Sequence, residues 1–182
     1  SQMSTPDAAS AAGAAFFVTH LGERYVWGAN GSNLLGAGVS TPFAGSAAGP
    51  IAPPDAMFWS GTARVELGRD FSIALVEASA LVAVGRNVEG QLGNGSTTAS
   101  STPVPVSVLT QVSDFSVGQV SVAAIRNGEL WAWGWNGASA VTQPTRLGSG
   151  DGFTAVSRGD LHGLLIGAGG AVFAWGDGSF GA

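Results

Sequence analysis

The sequence lacks cysteine and lysine, and charged residues make up only 10% of its 182 positions. Without cysteine there are no disulfide bonds, thiol nucleophiles or cysteine-ligated metal sites. Without lysine a Walker-type phosphate loop is excluded. The seven basic residues are scattered arginines and the net charge is −5, so the basic surface that nucleic acids require is missing. We therefore expect neither nucleic acid nor an acidic membrane as a partner.

The missing lysine has two interpretations. A coding bias toward Ala, Gly, Val and Arg explains it, and so does selection for a surface with few flexible charges, such as one packed into a large assembly. Targeting and spanning segments are also missing. No basic stretch followed by an apolar one follows Met3, which predicts no signal peptide. The longest apolar stretch, Ile73–Val84, is too short to cross a bilayer, so we expect a cytoplasmic location or one in an assembled particle.

Groups for catalysis or metal binding are sparse. Of the two histidines, His20 has no acidic neighbour at ligand spacing, which makes a histidine metal site improbable. The acidic residues are spread singly, and no serine lies in a Gly-x-Ser-x-Gly elbow. We therefore expect no catalytic, metal-binding or cofactor-binding residues and a non-enzymatic protein.

Glycine is abundant, with 29 copies, and a short word of two apolar residues followed by glycine recurs. The copies lie roughly 40–57 residues apart, a period typical of propeller blades. A second glycine precedes each copy by about 16 residues. The four words are Val26-Trp27-Gly28, Ala83-Val84-Gly85, Ala132-Trp133-Gly134 and Ala174-Trp175-Gly176, and the preceding glycines are Gly13, Gly68, Gly118 and Gly159.

The segment between the two glycines of each unit predicts a β-hairpin. In the third unit, Val120–Ile125 and Leu130–Trp133 flank Asn127-Gly128, and Asn-Gly is a strong signal for a two-residue hairpin turn. The strands are almost continuously apolar, which predicts burial on both faces between neighbouring sheets. Trp131, Trp133 and Trp135 alternate along their strand, so we expect them on one side of it.

The second unit carries the most detailed motif: Gly68, Ser72, Gly85, Asn87, Gly90, Gln91, Leu92, Gly93 and Gly95. In these residues the sequence resembles the regulator-of-chromosome-condensation repeat family, whose pattern ends in Trp-Gly-x-Asn-x-x-Gly-Gln-Leu-Gly-x-Gly. The resemblance implies a β-propeller and a hydrogen bond within the blade from His162, which stands at the family's histidine position. The repeat positions are Trp27, Gly28, Gly68, Gly85, Gly118, Trp133, Gly134, Gly159, His162, Trp175 and Gly176.

We therefore predict an all-β fold of about 3.5–4 propeller blades, with an N-terminal tail at 1–12 and one domain at 13–182. The blade units are expected near 13–38, 62–95, 112–136 and 153–181. Propellers of this family typically have about seven blades, so the prediction is a partial ring. Three explanations of a partial ring stay open: the chain is a fragment of a longer protein, two chains close one ring, or the arc packs into an assembly. An open arc exposes apolar faces and strand edges.

The predicted function is a protein-binding or structural scaffold, with protein partners that include a second copy or the missing half of the ring. One alternative is a structural component of a large assembly such as a phage particle. A less favoured alternative is an exchange factor for a small GTPase, an activity that the resemblance to the family's founder implies. The insertion Gly45–Pro54 is either a decorated blade connection or a functional loop. Because exposed tryptophan beside arginine is common in binding hot spots, we predict a protein-contact surface at Trp59, Arg86, Glu89 and Trp135.

Overall fold

The computed structural model describes residues 8–11, 14–18, 24–28, 30–33, 64–76, 79–148 and 152–176. Over these ranges the chain forms four antiparallel sheets, here called blades 1 to 4, and one short 3-10 helix, Ala168–Gly170. Blade 1 contains β1 Ala8–Ala11, β2 Ala14–Val18 and β3 Arg24–Gly28; blade 2 contains β4 Arg64–Leu67, β5 Phe71–Val76, β6 Ala80–Gly85 and β7 Ser100–Pro105. Blade 3 contains β8 Val112–Val117, β9 Ser121–Arg126, β10 Glu129–Trp135 and β11 Ala140–Arg146; blade 4 contains β12 Phe153–Arg158, β13 His162–Gly167 and β14 Val172–Gly176.

Every blade is a meander in which each strand pairs with the strand before it and the strand after it in the chain. The predicted turn of the third unit is present: Arg126 pairs with Glu129, and Asn127 and Gly128 between them have φ of 52° and 77°. Two consecutive positive φ values define the hairpin turn that Asn-Gly favours. The all-β blade fold predicted from the sequence is confirmed.

The strands extend beyond three of the predicted ranges. Strand β1 pairs with β2, so part of the predicted tail at 1–12 belongs to the first blade. The outermost strands β7 and β11 lie beyond the predicted units 62–95 and 112–136. Both contain proline and many polar residues and are largely exposed or half-buried, which suits an edge strand and hides them from a search for apolar runs.

The core lies between the blades. A larger cluster joins blade 2 to blade 3, and a smaller one joins blade 3 to blade 4. Strand β9 contributes to both, with Val122 and Ala124 on one side and Ala123 and Ile125 on the other. This confirms the prediction of burial on both faces for that strand.

Blade 4 departs from that pattern. Along β13 buried and exposed residues alternate, because blade 3 covers one face of the sheet and no described residue covers the other. Leu164 and Ile166 are 48% and 43% exposed.

Candidate functional site

In three of the four repeated words, the final glycine is required by a close approach between neighbouring strands. Gly85, Gly134 and Gly176 have φ of 116°, 89° and 119°, values that side chains rarely tolerate. A Cβ atom at Gly85 or Gly134 would lie 2.5 Å from a backbone oxygen, and one at Gly176 would also collide with one. These oxygens belong to Asp70, Val120 and Leu161.

The tryptophan of the third word is held by the preceding blade. Trp133 is 2% exposed, and its Nε1 donates a hydrogen bond of 2.9 Å to the carbonyl of Gln91. Gln91 belongs to the blade 2 loop, residues 86–95, which carries the Gly-Gln-Leu-Gly motif. Leu92 of this loop is completely buried in the cluster that contains Trp133. The motif therefore seals the interface between blades 2 and 3.

Asn87 holds the blade 2 loop in shape. Its Nδ2 donates to the carbonyls of Ser96 and Thr98, each at 3.0 Å, and its Oδ1 accepts from the Leu92 N–H at 2.8 Å. These bonds link the start of the loop to its middle and to the residues that follow it.

Two of the predicted contact residues bind each other within this loop. Arg86 Nη1 and Nη2 lie 2.6 Å and 2.8 Å from Glu89 Oε2 and Oε1. Gln91 adds bonds to the backbone and the carboxylate of Glu89. Both charged side chains are thus already paired, and their role in contacting a partner stays a prediction.

Trp135 occupies the position in blade 3 that Arg86 occupies in blade 2. The Arg86 N–H donates to Asp70 O, and the Trp135 N–H donates to Val120 O in the same way. Trp135 and Arg86 therefore lie at the same end of successive blades, while Trp59 lies outside the described residues, as does His20.

At the family's histidine position the hydrogen bond within the blade comes from the backbone, and the role expected for the His162 side chain stays a prediction. The carbonyl of His162 accepts from the Gly159 N–H at 2.9 Å, and Phe71 and Ser121 do the same for Gly68 and Gly118. The His162 imidazole lies against Gly159 and bonds to no described residue. The hydrogen bond within the blade thus exists, but it needs no particular side chain, which explains why blades 2 and 3 carry phenylalanine and serine there.

Acidic side chains link successive blades, a feature that inspection of the isolated sequence missed. Arg64 of blade 2 pairs with Glu66 and, at 2.5 Å, with Asp114 of blade 3. Glu66 Oε2 accepts from Val117 N, and Asp114 Oδ2 accepts from Val156 N, both at 2.7 Å. Glu66 stands two residues before Gly68 and Asp114 stands four residues before Gly118, so each lies on the strand that leads to a blade glycine, and that placement was the available signal.

Burial shifts the pKa values of the charged groups in this network. Desolvation raises the pKa of Glu66 above its ordinary value, although Arg64 and the bond from Val117 oppose the change. Desolvation would lower the pKa of Arg64, but the Glu66 and Asp114 carboxylates outweigh it and raise the pKa. The network therefore favours a charged arginine more than a charged Glu66.

A cleft of about 730 Å³ separates blades 3 and 4 at the Trp-Gly end. Trp135, Leu147, Arg158, Leu161 and Trp175 are among the residues that line it. Arg158 Nε donates to Ser121 Oγ at 3.0 Å, and the guanidinium lies 5.8 Å from the ring centre of Trp175. Desolvation lowers the pKa of Arg158, an effect that Asp160 partly offsets.

Within the described ranges, no group of three or more His, Asp or Glu residues is arranged to hold a metal ion. In the same ranges, no helix has the length and apolarity to cross a membrane.

Comparison with solved structures places the blades in a known architecture. Human WBSCR16 has 21% sequence identity and a TM-score of 0.74, with 90% of this chain and 45% of that one covered. Prp20p from Saccharomyces cerevisiae, studied for binding to Gsp1p and histones, has 20% identity and a TM-score of 0.76, covering 94% and 45%. Yeast RCC1 (Prp20) bound to Kap60 has 20% sequence identity and a TM-score of 0.75, with 94% of this chain and 43% of that one covered. The chain spans about half the length of these structures.

The family comparison matches residues 82–125 to the regulator of chromosome condensation (RCC1) repeat. The match runs from β6 through the blade 2 loop to β9, so it includes Leu92 and ends before Trp133. This confirms the resemblance stated from the motif residues. The chain carries a regulator of chromosome condensation (RCC1) repeat within a set of β-propeller blades.

Proposed function

We propose that this chain is a non-enzymatic protein-binding scaffold, and that the uncovered face of blade 4 binds a sheet of the same blade type supplied by a second copy of the chain. The observation that carries the proposal is an interface pattern repeated at two junctions and left open at the third. We call the uncovered side of blade 4 the open face; it contains Ser157, Leu164, Ile166 and Val172.

The apolar part of the pattern compares equivalent strands. In blade 3, Ala123 and Ile125 stand five and seven residues after Gly118, and in blade 4 Leu164 and Ile166 stand five and seven residues after Gly159. Both are completely buried against blade 4. On the open face, by contrast, Val172 is 67% exposed. Burying such side chains stabilises a contact by about 25 cal/mol per Å² of apolar area.

The polar part is a hydrogen bond between successive blades. Two residues before its blade glycine, Glu66 of blade 2 accepts from the Val117 N–H of blade 3. Ser116 holds the same position in blade 3, and its Oγ accepts from the Arg158 N–H of blade 4 at 3.0 Å. Ser157 is the equivalent residue of blade 4; it is exposed and its side chain bonds to no described residue. A further blade-type strand would supply the matching N–H donor.

A second copy suits this face in size as well as in chemistry. The chain covers 43–45% of the propeller chains to which it is similar, so two copies approach the length of one such chain. The binding of Kap60, Gsp1p and histones concerns those longer proteins, and the open face requires none of them.

Sedimentation velocity over a range of concentrations tests the proposal. The wild-type chain of 18.1 kDa is expected to form a species of about twice its mass, since a dimer with two-fold symmetry is the commonest closed assembly. Leu164→Asp, which places a charge on the open face, is expected to stay monomeric. Val108→Asp is the matched control because Val108 is 69% exposed in the turn between β7 and β8, and it should associate like the wild type. A wild-type chain that stays at the monomer mass at every concentration contradicts the proposal.

A further inference from the structure

The junction between blades 3 and 4 lacks a part that the junction between blades 2 and 3 possesses. In the earlier junction, the blade 2 loop places Leu92 against Trp133 and Val106, and the Gln91 carbonyl accepts the indole hydrogen. Val106 is 5% exposed. The loop therefore fills the space beneath the tryptophan completely.

Blade 3 has no such loop. After Gly134 the chain turns back within Asn136–Ser139, where Asn136 Oδ1 accepts from the N–H groups of Ala138 and Ser139 at 2.9 Å and 2.8 Å. The sequence shows the same loss, because the Gly-Gln-Leu-Gly segment is missing after the third word. The turn is too short to cross to blade 4.

The cleft lies where this loop would be. Leu147 corresponds to Val106, because its N–H donates to Leu130 O as the Val106 N–H donates to Leu81 O. Trp175 corresponds to Trp133 in the repeat. Both Leu147 and Trp175 line the cleft, and Leu147 is 37% exposed instead of buried. The volume of about 730 Å³ is within the range of ligand-binding pockets.

Two groups that line the cleft, an indole N–H and a guanidinium, have hydrogen-bonding or ion-pairing capacity that the described residues do not use. The Trp175 indole N–H donates to no described residue, although the equivalent group of Trp133 bonds to a carbonyl. Arg158 has no carboxylate within salt-bridge distance among the described residues; its side chain donates to Ser121 Oγ and, at 3.4 Å, to Asp160 O. A partly desolvated guanidinium beside an aromatic ring is a good receptor for an acidic side chain.

We propose that this cleft binds a tight loop of another protein that presents a leucine between glycines, a free backbone carbonyl and one acidic side chain. The leucine would pack against Leu147 and Leu161, the carbonyl would accept from Trp175, and the acid would pair with Arg158. This proposal rests on the protein-binding function proposed above, but it uses the side of blade 4 that faces blade 3, away from the open face.

A cyclic peptide with the sequence of residues 87–96, which contains Glu89, Gln91 and Leu92, serves as the probe. Its binding to the full chain is measured by fluorescence anisotropy. We expect saturable binding that weakens at least about tenfold for the same peptide with Leu92→Ala, because the truncated side chain no longer buries its apolar surface against Leu147 and Leu161. The peptide with Glu89→Gln should also bind more weakly, and salt should reduce that difference.

Thr145→Trp fills the cleft, since Thr145 lines it and is exposed, and should abolish peptide binding. The matched control is Thr102→Trp on β7, another exposed threonine of an outer strand, which should bind like the wild type. Equal binding by the Thr145→Trp and wild-type chains overturns the proposal, and so does the absence of saturable binding to the wild type.

A chimera removes any dependence on peptide affinity. Replacing residues 136–139 with residues 87–96 should close the cleft from within and shift the emission of Trp175 to shorter wavelength, relative to a chimera that carries Leu92→Ala. Sedimentation separates the two proposals: if the peptide and the chimera fail while the wild type still dimerises and Leu164→Asp does not, only the cleft proposal is wrong. If the peptide binds while the chain stays monomeric, only the proposal for the open face is wrong.

Discussion

Replacing Gly134 with alanine adds one methyl group at the point where two strands of blade 3 approach each other most closely. The new Cβ would lie 2.5 Å from Val120 O and 2.8 Å from Ser121 Cα. Backbone atoms cannot move aside as the end of a flexible side chain can, so the strand must shift. The residue also has a φ of 89°, which a side chain disfavours.

The two costs can be separated by comparison with Gly137, in the turn that follows. Gly137 has a φ of 96°, and nothing lies within 4 Å of a Cβ placed there. Gly137→Ala therefore carries only the conformational cost, about 1–2 kcal/mol. Gly134→Ala carries this cost and the enforced strand shift, about 1–3 kcal/mol more. The expected loss of unfolding free energy is therefore about 2–5 kcal/mol for Gly134→Ala.

Urea unfolding followed by tryptophan fluorescence measures both variants, at one fixed protein concentration because association changes the apparent stability. The midpoint should fall in the order wild type, Gly137→Ala, Gly134→Ala. Equal losses for the two variants would refute the close-approach explanation of the Trp-Gly glycine and leave backbone conformation as its only cause.

Three further perturbations test individual contacts. The pKa of Glu66 is raised in the folded chain, so the contribution of Glu66 to stability falls as pH rises from 4.5 through the raised value. Glu66→Gln should therefore gain stability relative to the wild type between pH 4 and 7. A relative loss over that range would contradict the direction of the shift. Trp133→Phe should cost about 2 kcal/mol or more, since it leaves the Gln91 carbonyl unpaired in the core, whereas Trp175→Phe should cost well under about 1 kcal/mol in thermal unfolding. Asn87→Ala should lose roughly 3 kcal/mol and speed hydrogen exchange of the Leu92 amide, and unchanged exchange would show that the loop does not depend on this side chain.

The blades were predictable because their repeat has a local physical cause. The apolar hairpin strands, the Asn127-Gly128 turn and the Trp-Gly glycine each follow from a few neighbouring residues. The outer strands β7 and β11 were not predictable in this way, since edge strands bury little and carry no continuous apolar pattern.

The site was only partly predictable from the sequence. Arg86 and Glu89 were predicted as contact residues, but they form an ion pair with each other within the blade 2 loop. A linear sequence does not reveal that pairing. The cleft was visible only as a missing motif after Gly134. Its meaning required the three-dimensional equivalence of Trp133 and Trp175.

One carboxylate oxygen of Asp114 pairs with Arg64 of blade 2, and the other accepts a hydrogen bond from the Val156 N–H of blade 4. Arrays of repeats are usually described by couplings between adjacent units alone. Here a single carboxylate links units that do not touch through their cores, because opening either junction leaves an oxygen of the same partly buried group without its partner. We therefore expect the loss of one junction to weaken the other, so that the three blades melt as one cooperative segment instead of fraying one at a time from the end.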